Sequence, residues 1–227
     1  MSPAERPRFS IAALDAMVAP SRAWTIIATS ERALSSVSTP SCAWLASQGA
    51  YSIGVIIGRR ALETIMTDFT ATVINRTTFS YPWPDREQVF DQIKTSVQYL
   101  VDSLGAGQRV RLAGIGVAGP GDLHGWETVI GTPPGELANW RGVDIRARVA
   151  AETGLPTWLL NDASSACLAE MVLGIARQHR SVLYLYIATF IGGGLVLDGQ
   201  IHVGAHGNAG HWARCPCNNA PGACRRN

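Results

Sequence analysis

From Tyr51 onward, short apolar runs predict strands over Tyr51–Ile57, Leu62–Phe69 and Thr72–Phe79. The turns between them are short, as an antiparallel meander permits. Tyr81-Pro82-Trp83-Pro84 forms a stiff connector, after which Asp85 is placed to cap a helix with Gln88 in the capping-box position. Val89, Phe90, Ile93, Val97, Leu100, Val101 and Leu104 supply the apolar stripe of that helix. Arg109–Val117 predicts a fourth strand running toward Gly119-Pro120-Gly121. A second helix over Asp144–Glu152 is stopped by Gly154-Leu155-Pro156. Thr157–Leu160 predicts a short buried strand, and Asp162 opens a helix that reaches about Arg177. Ser181–Ile187, Leu195–Asp198 and Gln200–Val203 then begin a second set of strands.

Three strands, a helix, a strand, a helix and a strand, followed by the start of a similar sheet, make a two-lobed α/β layout. A chain of 227 residues has enough apolar sequence to fill such lobes. The formal charge of +2 is too small to argue for nucleic acid or an anionic membrane as partner. No apolar run approaches the length of a membrane span, and the N-terminus lacks the pattern of a signal peptide. Five cysteines are an odd count, and Cys215, Cys217 and Cys224 crowd the end, unlike a secreted disulfide framework. A cytoplasmic protein is the expectation. Residues 1–48 are rich in Ala and Ser, show only scattered apolar periodicity, and are left unassigned, with disorder as one reading.

Three blocks carry the chemistry, two of them glycine-rich. Gly114-Ile115-Gly116-Val117-Ala118-Gly119-Pro120-Gly121 comes first, Leu160-Asn161-Asp162 second, and Gly192-Gly193-Gly194 third, followed by the loop Gly204-Ala205-His206-Gly207-Asn208-Ala209-Gly210. Adjacent glycines are entropically unfavourable unless something must approach the main chain closely. In order and spacing, from about Gly49 to Gly210, these blocks resemble the ROK family of sugar kinases and sugar-responsive repressors. The resemblance implies the actin-like, ribonuclease-H-like fold with a ligand cleft between lobes, a first lobe over 49–155 and a partial second lobe over 156–210.

By the same resemblance Asn161 and Asp162 bind sugar, Gly119 lies beside it, and in a kinase Asp162 is the catalytic base. A carboxylate at a strand end can accept a proton from a sugar hydroxyl; the alternative is that Asp162 simply caps the helix behind it. Thr132-Pro133-Pro134-Gly135-Glu136 falls where the kinases place a sugar-binding Asn, and Glu136 stands either as its substitute or as a solvated loop carboxylate. The nucleotide side, Gly58, Thr189, Gly192 and Gly193, is degenerate. Ile56 replaces the Asp that organises Mg²⁺, which needs oxygen ligands, Arg59 replaces a phosphate-facing glycine, and Phe190 replaces a glycine of the second phosphate loop.

The expected function is therefore that of a sugar-binding protein related to sugar-responsive transcriptional repressors, truncated and catalytically inactive, with no cofactor. The alternative is an ATP- and Mg²⁺-dependent sugar kinase using Asp162. No helix-turn-helix is evident in residues 1–48, so DNA binding is not supported by this chain. The partner is a small-molecule sugar, and a homo-oligomer is compatible with the uncovered sheet edge and apolar face expected of a shortened second lobe.

His211, Cys215, Cys217 and Cys224 are the ligand types of the family's structural zinc site, but their spacing departs from it and no metal is assigned. Residues 211–227 instead read as out of frame. Shifted by the G of the Gly210 codon, His211-Trp212-Ala213 forces Leu-Gly and permits Ser-Met-Pro next, which resembles the regulators' usual continuation.

Overall fold

The computed structural model describes residues 47–119, 123, 127, 131–187, 191–205 and 209. Most of the N-terminal segment, Thr189, Phe190, His206 and the His211, Cys215, Cys217, Cys224 cluster lie outside the described residues.

The first sheet has five strands in the order β3-β2-β1-β4-β5. β1 (Tyr51–Ile57), β2 (Ala61–Asp68) and β3 (Val73–Ser80) form the antiparallel meander, and β4 (Leu112–Gly119) and β5 (Thr157–Asn161) run parallel to β1. The β1–β4 register slips between Tyr51 and Ile53. Gly114 lies within this irregular stretch, at φ +150°, and a Cβ there would meet the Pro156 carbonyl oxygen at 2.5 Å. Only glycine suits that conformation.

One face of the sheet is covered by α1 (Arg86–Asp102) and α3 (Ile145–Thr153). Asp85 caps α1 by accepting from the Gln88 amide at 2.9 Å. Asp144 caps α3, and Gly154, left-handed at φ +69°, ends it. Phe90, Ile93 and Leu100 of α1 pack under Ile53, Val55 and Ile57, with Trp140 tilted against Phe90 at 5.6 Å and its indole donating to the Pro84 carbonyl. Arg148 of α3 lies 4.2 Å over the Phe90 ring and binds Glu87 and Glu152. Within the predicted stripe, Val101 is half-buried and Leu104 lies past the helix end; buried Ser96 joins the stripe by bonding Thr64 at 3.1 Å.

The second sheet is an antiparallel meander, β6 (Val182–Ile187), β7 (Ile191–Leu197) and β8 (Gln200–His202). α4 (Asp162–Val172) leaves the end of β5 and packs on it, its Ala166 and Ala169 lying under Tyr184 and Tyr186 of β6. The other side of β6 carries Leu183, Leu185 and Ile187, which are 57%, 56% and 77% exposed.

Several expectations need correction. Arg109 ends a short helical turn, α2 (Ala106–Arg109), so β4 begins only at Leu112. Among the described residues β5 is an edge strand, with Leu159 exposed rather than buried, and it belongs to the first sheet. α4 stops at Val172, because Gly174 is extended and Ile175–Gln178 turn as a 3-10 helix. β7 begins at Ile191 and takes the glycine triplet inside the strand, paired with β6.

Candidate functional site

The C-terminal ends of β1, β4 and β5 lie side by side, the edge at which open α/β sheets bind ligands. Ile56 pairs with Ala118, and Gly119 pairs with Asn161. Gly119, Asn161 and Asp162 thus form one contiguous rim. A Cβ on Gly119 would meet Ile57 and Leu159 only at ordinary contact distance, 3.9 Å, so packing alone does not demand glycine there.

Asn161 is the N-cap of α4. Its Oδ1 accepts from the amides of Ala163 at 3.0 Å and Ser164 at 3.4 Å, satisfying two donors that a helix start leaves open. Asp162 is the first residue of the helix, and its Oδ1 accepts from the Ala163 amide at 2.8 Å. The capping role expected of Asp162 falls chiefly to Asn161. The carboxylate sits in the first turn of an 11-residue helix, where the helix dipole favours negative charge.

The glycine triplet reaches the same place from the other sheet. A Cβ on Gly194 would lie 2.2 Å from the Cys167 Cβ and 3.5 Å from the Ala163 carbonyl oxygen. This glycine therefore lets β7 press on the first turns of α4. Burial pushes the Cys167 thiol up to about 11, with Glu170 adding to the shift. Gly192 and Gly193 precede Gly194 in the same strand, paired with Tyr186 and Leu185.

The turn after β1 is differently built. Gly58 donates its N–H to the Ala61 carbonyl at 2.9 Å, accepts the Tyr81 hydroxyl at 2.7 Å, and has no room for a Cβ, which would meet the Ala61 carbonyl oxygen at 2.9 Å. Burial raises the Tyr81 phenol well above its ordinary value, so it remains a donor to this turn. Arg60 donates to the Pro82 carbonyl. Ile56 stands across from Glu63, whose carboxylate is paired with Arg76 at 3.0 Å. These donors do not fit a hard divalent cation: the strand residue is a hydrocarbon and the carboxylate opposite it is already neutralised. Among the described residues no group of three His, Cys, Asp or Glu side chains could hold a metal ion.

The loop before α3 is organised by a residue that sequence reasoning passed over. The Glu127 carboxylate accepts from the amides of Gly135 and Leu137 at 3.1 Å each. Glu136 is half-buried in the turn that its own amide closes onto the Pro133 carbonyl. The Glu127 contacts were legible only in the turn geometry.

A two-sheet α/β protein with Gly119, Asn161 and Asp162 gathered at the start of one helix is the class that fold and site define. The ROK family profile matches residues 52–226, and the chain belongs to the ROK family. It is 25% identical over 185 residues to the xylose repressor of Bacillus spizizenii, covering 76% of this chain and 46% of that protein. It is 25% identical over 169 residues to the glucokinase of Streptomyces coelicolor, covering 73% and 50%. Among solved structures it is similar to a ROK hexokinase from Thermus thermophilus, at 28% identity and a TM-score of 0.53, covering 70% of this chain and 51% of that one. The fold is the actin-like one of these kinases, and the chain spans about half the length of the curated relatives it matches. Among the described residues no helix is long and apolar enough to cross a membrane.

Proposed function

We propose that this chain is a sugar-binding member of the repressor branch of the ROK family that does not phosphorylate its ligand. The contrast between the two halves of the site carries this reading. Gly119, Asn161 and Asp162 form a contiguous polar rim suited to sugar hydroxyls. The β1 turn opposite it spends the Gly58 amide on a hairpin bond and offers Ile56, Arg59 and Arg60 in place of a metal carboxylate and small residues. Phosphoryl transfer depends on positioning and on charge stabilisation at the phosphates, so loss of both removes most of the rate. The relatives include both a repressor and a glucokinase.

Transfer of radiolabelled phosphate from ATP to D-glucose, D-xylose or N-acetylmannosamine tests the reading. No product above background is expected. Turnover that disappears in Asp162→Ala would establish the kinase alternative, which the position of Asp162 at the end of β5 favours. The out-of-frame reading of residues 211–227 stands beside a family match that extends to residue 226. The DNA downstream separates the two: ROK-like sequence in the shifted frame supports a one-base deletion, and its absence returns the His211, Cys215, Cys217 and Cys224 cluster to a zinc role.

A further inference from the structure

A cavity of about 470 Å³ opens beside the first residue of β1, lined among others by Gln48, Tyr51, Asp68, Asn75, Leu104 and Gln108. Small-molecule sites are roughly 300–1,000 Å³. The rim formed by Gly119, Asn161 and Asp162 lies at the other end of the same strand, seven residues and roughly 20 Å away. The strand register builds the cavity. Tyr51 pairs with Asp68, and Ile53 pairs with Met66, which pairs in turn with Asn75 of β3. Residues opposite each other or two apart on a strand share a face, so Tyr51, Asp68 and Asn75 stand on the side that α1 covers. Ser103 and Leu104, just past the end of α1, line it from above that face. Gln108 of α2 donates its side-chain amide to the Tyr51 hydroxyl at 2.9 Å, while its Oε1 accepts from the Gly105 amide at 2.9 Å.

The charge of this cavity is one-sided. Among the described residues no lysine, arginine or histidine lines it, and Asp68, 9% exposed, is its one carboxylate. Asp68 Oδ1 accepts from the Thr70 amide at 2.9 Å, the Thr70 hydroxyl at 2.7 Å and the Thr72 amide at 3.0 Å, whereas Oδ2 has no partner among the described residues. A buried carboxylate without a cation is costly. The arginines nearby are committed elsewhere, Arg109 to Asp102 and the Leu104 carbonyl, Arg111 to the Gln48 carbonyl. The last turn of the 17-residue α1 carries no basic residue, so the negative end of its dipole adds to the same sign. We propose that this cavity is a ligand site for a small primary amine bearing a hydroxyl, its ammonium on Asp68 Oδ2 and its hydroxyl toward the Tyr51 phenol and the Asn75 amide. An ammonium offers three donors and no acceptor, the complement of a carboxylate oxygen. An anion would meet the charge of Asp68 with nothing to offset it. A purely apolar ligand would strand the polar groups of Tyr51, Asn75 and Gln108. The site is separate from the proposed sugar contact and does not depend on it.

Amide chemical-shift titration of the full 227-residue chain with 5-amino-1-pentanol tests this, with 1,5-pentanediol as the uncharged isostere. The amine should bind roughly tenfold more tightly than the diol, about the worth of one charge-assisted hydrogen bond. Its titration should move the Thr70 and Thr72 amides, which donate to Asp68, and leave those of Ala163 and Ser164 at the start of α4 in place. Asp68→Asn keeps an oxygen for the turn and removes the charge, so it should bring the amine down to the affinity of the diol. Unchanged amine affinity in Asp68→Asn would overturn the proposal. So would equal affinity for amine and diol in the unmutated chain, a comparison that does not depend on how the variant folds. Shifts confined to the start of α4, or no shift with the amine in large excess, would overturn it as well.

Discussion

Each sheet starts as an antiparallel meander, β1-β2-β3 in one and β6-β7-β8 in the other, but β1 has parallel β4 on its second edge, while β6 has no partner there among the described residues. The faces differ in the same sense. The first sheet buries Ile53, Val55, Ile57, Leu62 and Ile115 with Phe90, Ile93, Leu100 and Val149, all essentially inaccessible. The second buries Val196 and seats two tyrosines on the alanines of α4, leaving leucines on its far side in water. Cohesion therefore resides in the first sheet and its two helices. Among the described residues the second sheet packs on one helix, which starts with Asp162 and is capped by Asn161. Under the proposed reading, ligand at the start of α4 would be held by the element joining the well-packed region to the sparsely packed one, an arrangement through which binding can stabilise the weaker part.

The largest expected effect of a single change lies in the first sheet. Phe90→Ala should destabilise by about 3–5 kcal/mol in urea denaturation, since it opens a cavity between α1, Trp140 and Arg148. Leu185→Ala, at an exposed position, should stay within about 0.5 kcal/mol. Equal losses at the two positions would break the comparison.

Next comes the close approach of β7 to α4. Gly194→Ala should cost about 1–3 kcal/mol through overpacking on Cys167. Combining it with Cys167→Gly should recover part of that loss as a favourable coupling in a double-mutant cycle. Strict additivity would place the strain elsewhere.

The fold was more legible than the site because its signals are periodic. Most of the α1 stripe, the Asp85 cap and the Gly154 stop are local features, and they stand where the sequence places them. Boundaries failed where specific side-chain contacts rather than apolar period decide. Arg109 is drawn into a helical turn, its guanidinium bonded to the Leu104 carbonyl and to Asp102. The glycine triplet stood among the degenerate nucleotide-side residues, and the structure puts it inside a strand, where Gly194 leaves free the space that Cys167 fills. In the site, Asn161 and Asp162 were readable from their block. The Glu127 contacts were not, because its partners in the 131–137 loop become adjacent only once that loop closes. Val182, Tyr184 and Tyr186 alternating with Leu183, Leu185 and Ile187 was the available signal for β6, a strand with one tyrosine-bearing face.

A smaller effect concerns the exposed side of β6. Leu183→Lys with Leu185→Lys should leave urea stability within about 0.5 kcal/mol and reduce concentration-dependent association in sedimentation velocity, because a charged edge strand resists pairing. Unchanged association would show that those leucines are not its cause.

The smallest effect is electrostatic. Hydrogen bonds from Arg148 and then Arg86 hold Glu87 down from 4.5 to about 2. A depressed carboxylate stabilises the fold above its ordinary value, and that contribution fades as pH falls from 4.5 through about 2. Glu87 is largely exposed, so the pair is screened, and Glu87→Gln should produce a slight loss at neutral pH that shrinks with added salt and vanishes in acid. A loss that persists at low pH would assign it to packing.

The most direct test of the central claim is calorimetric titration of D-xylose and D-glucose into the chain and into its Asn161→Ala, Asp162→Ala double variant. Binding of one sugar by the unmutated chain, lost in the variant while α4 remains folded by circular dichroism, is the predicted result. Equal affinity in both proteins would contradict it and move the sugar away from the start of α4.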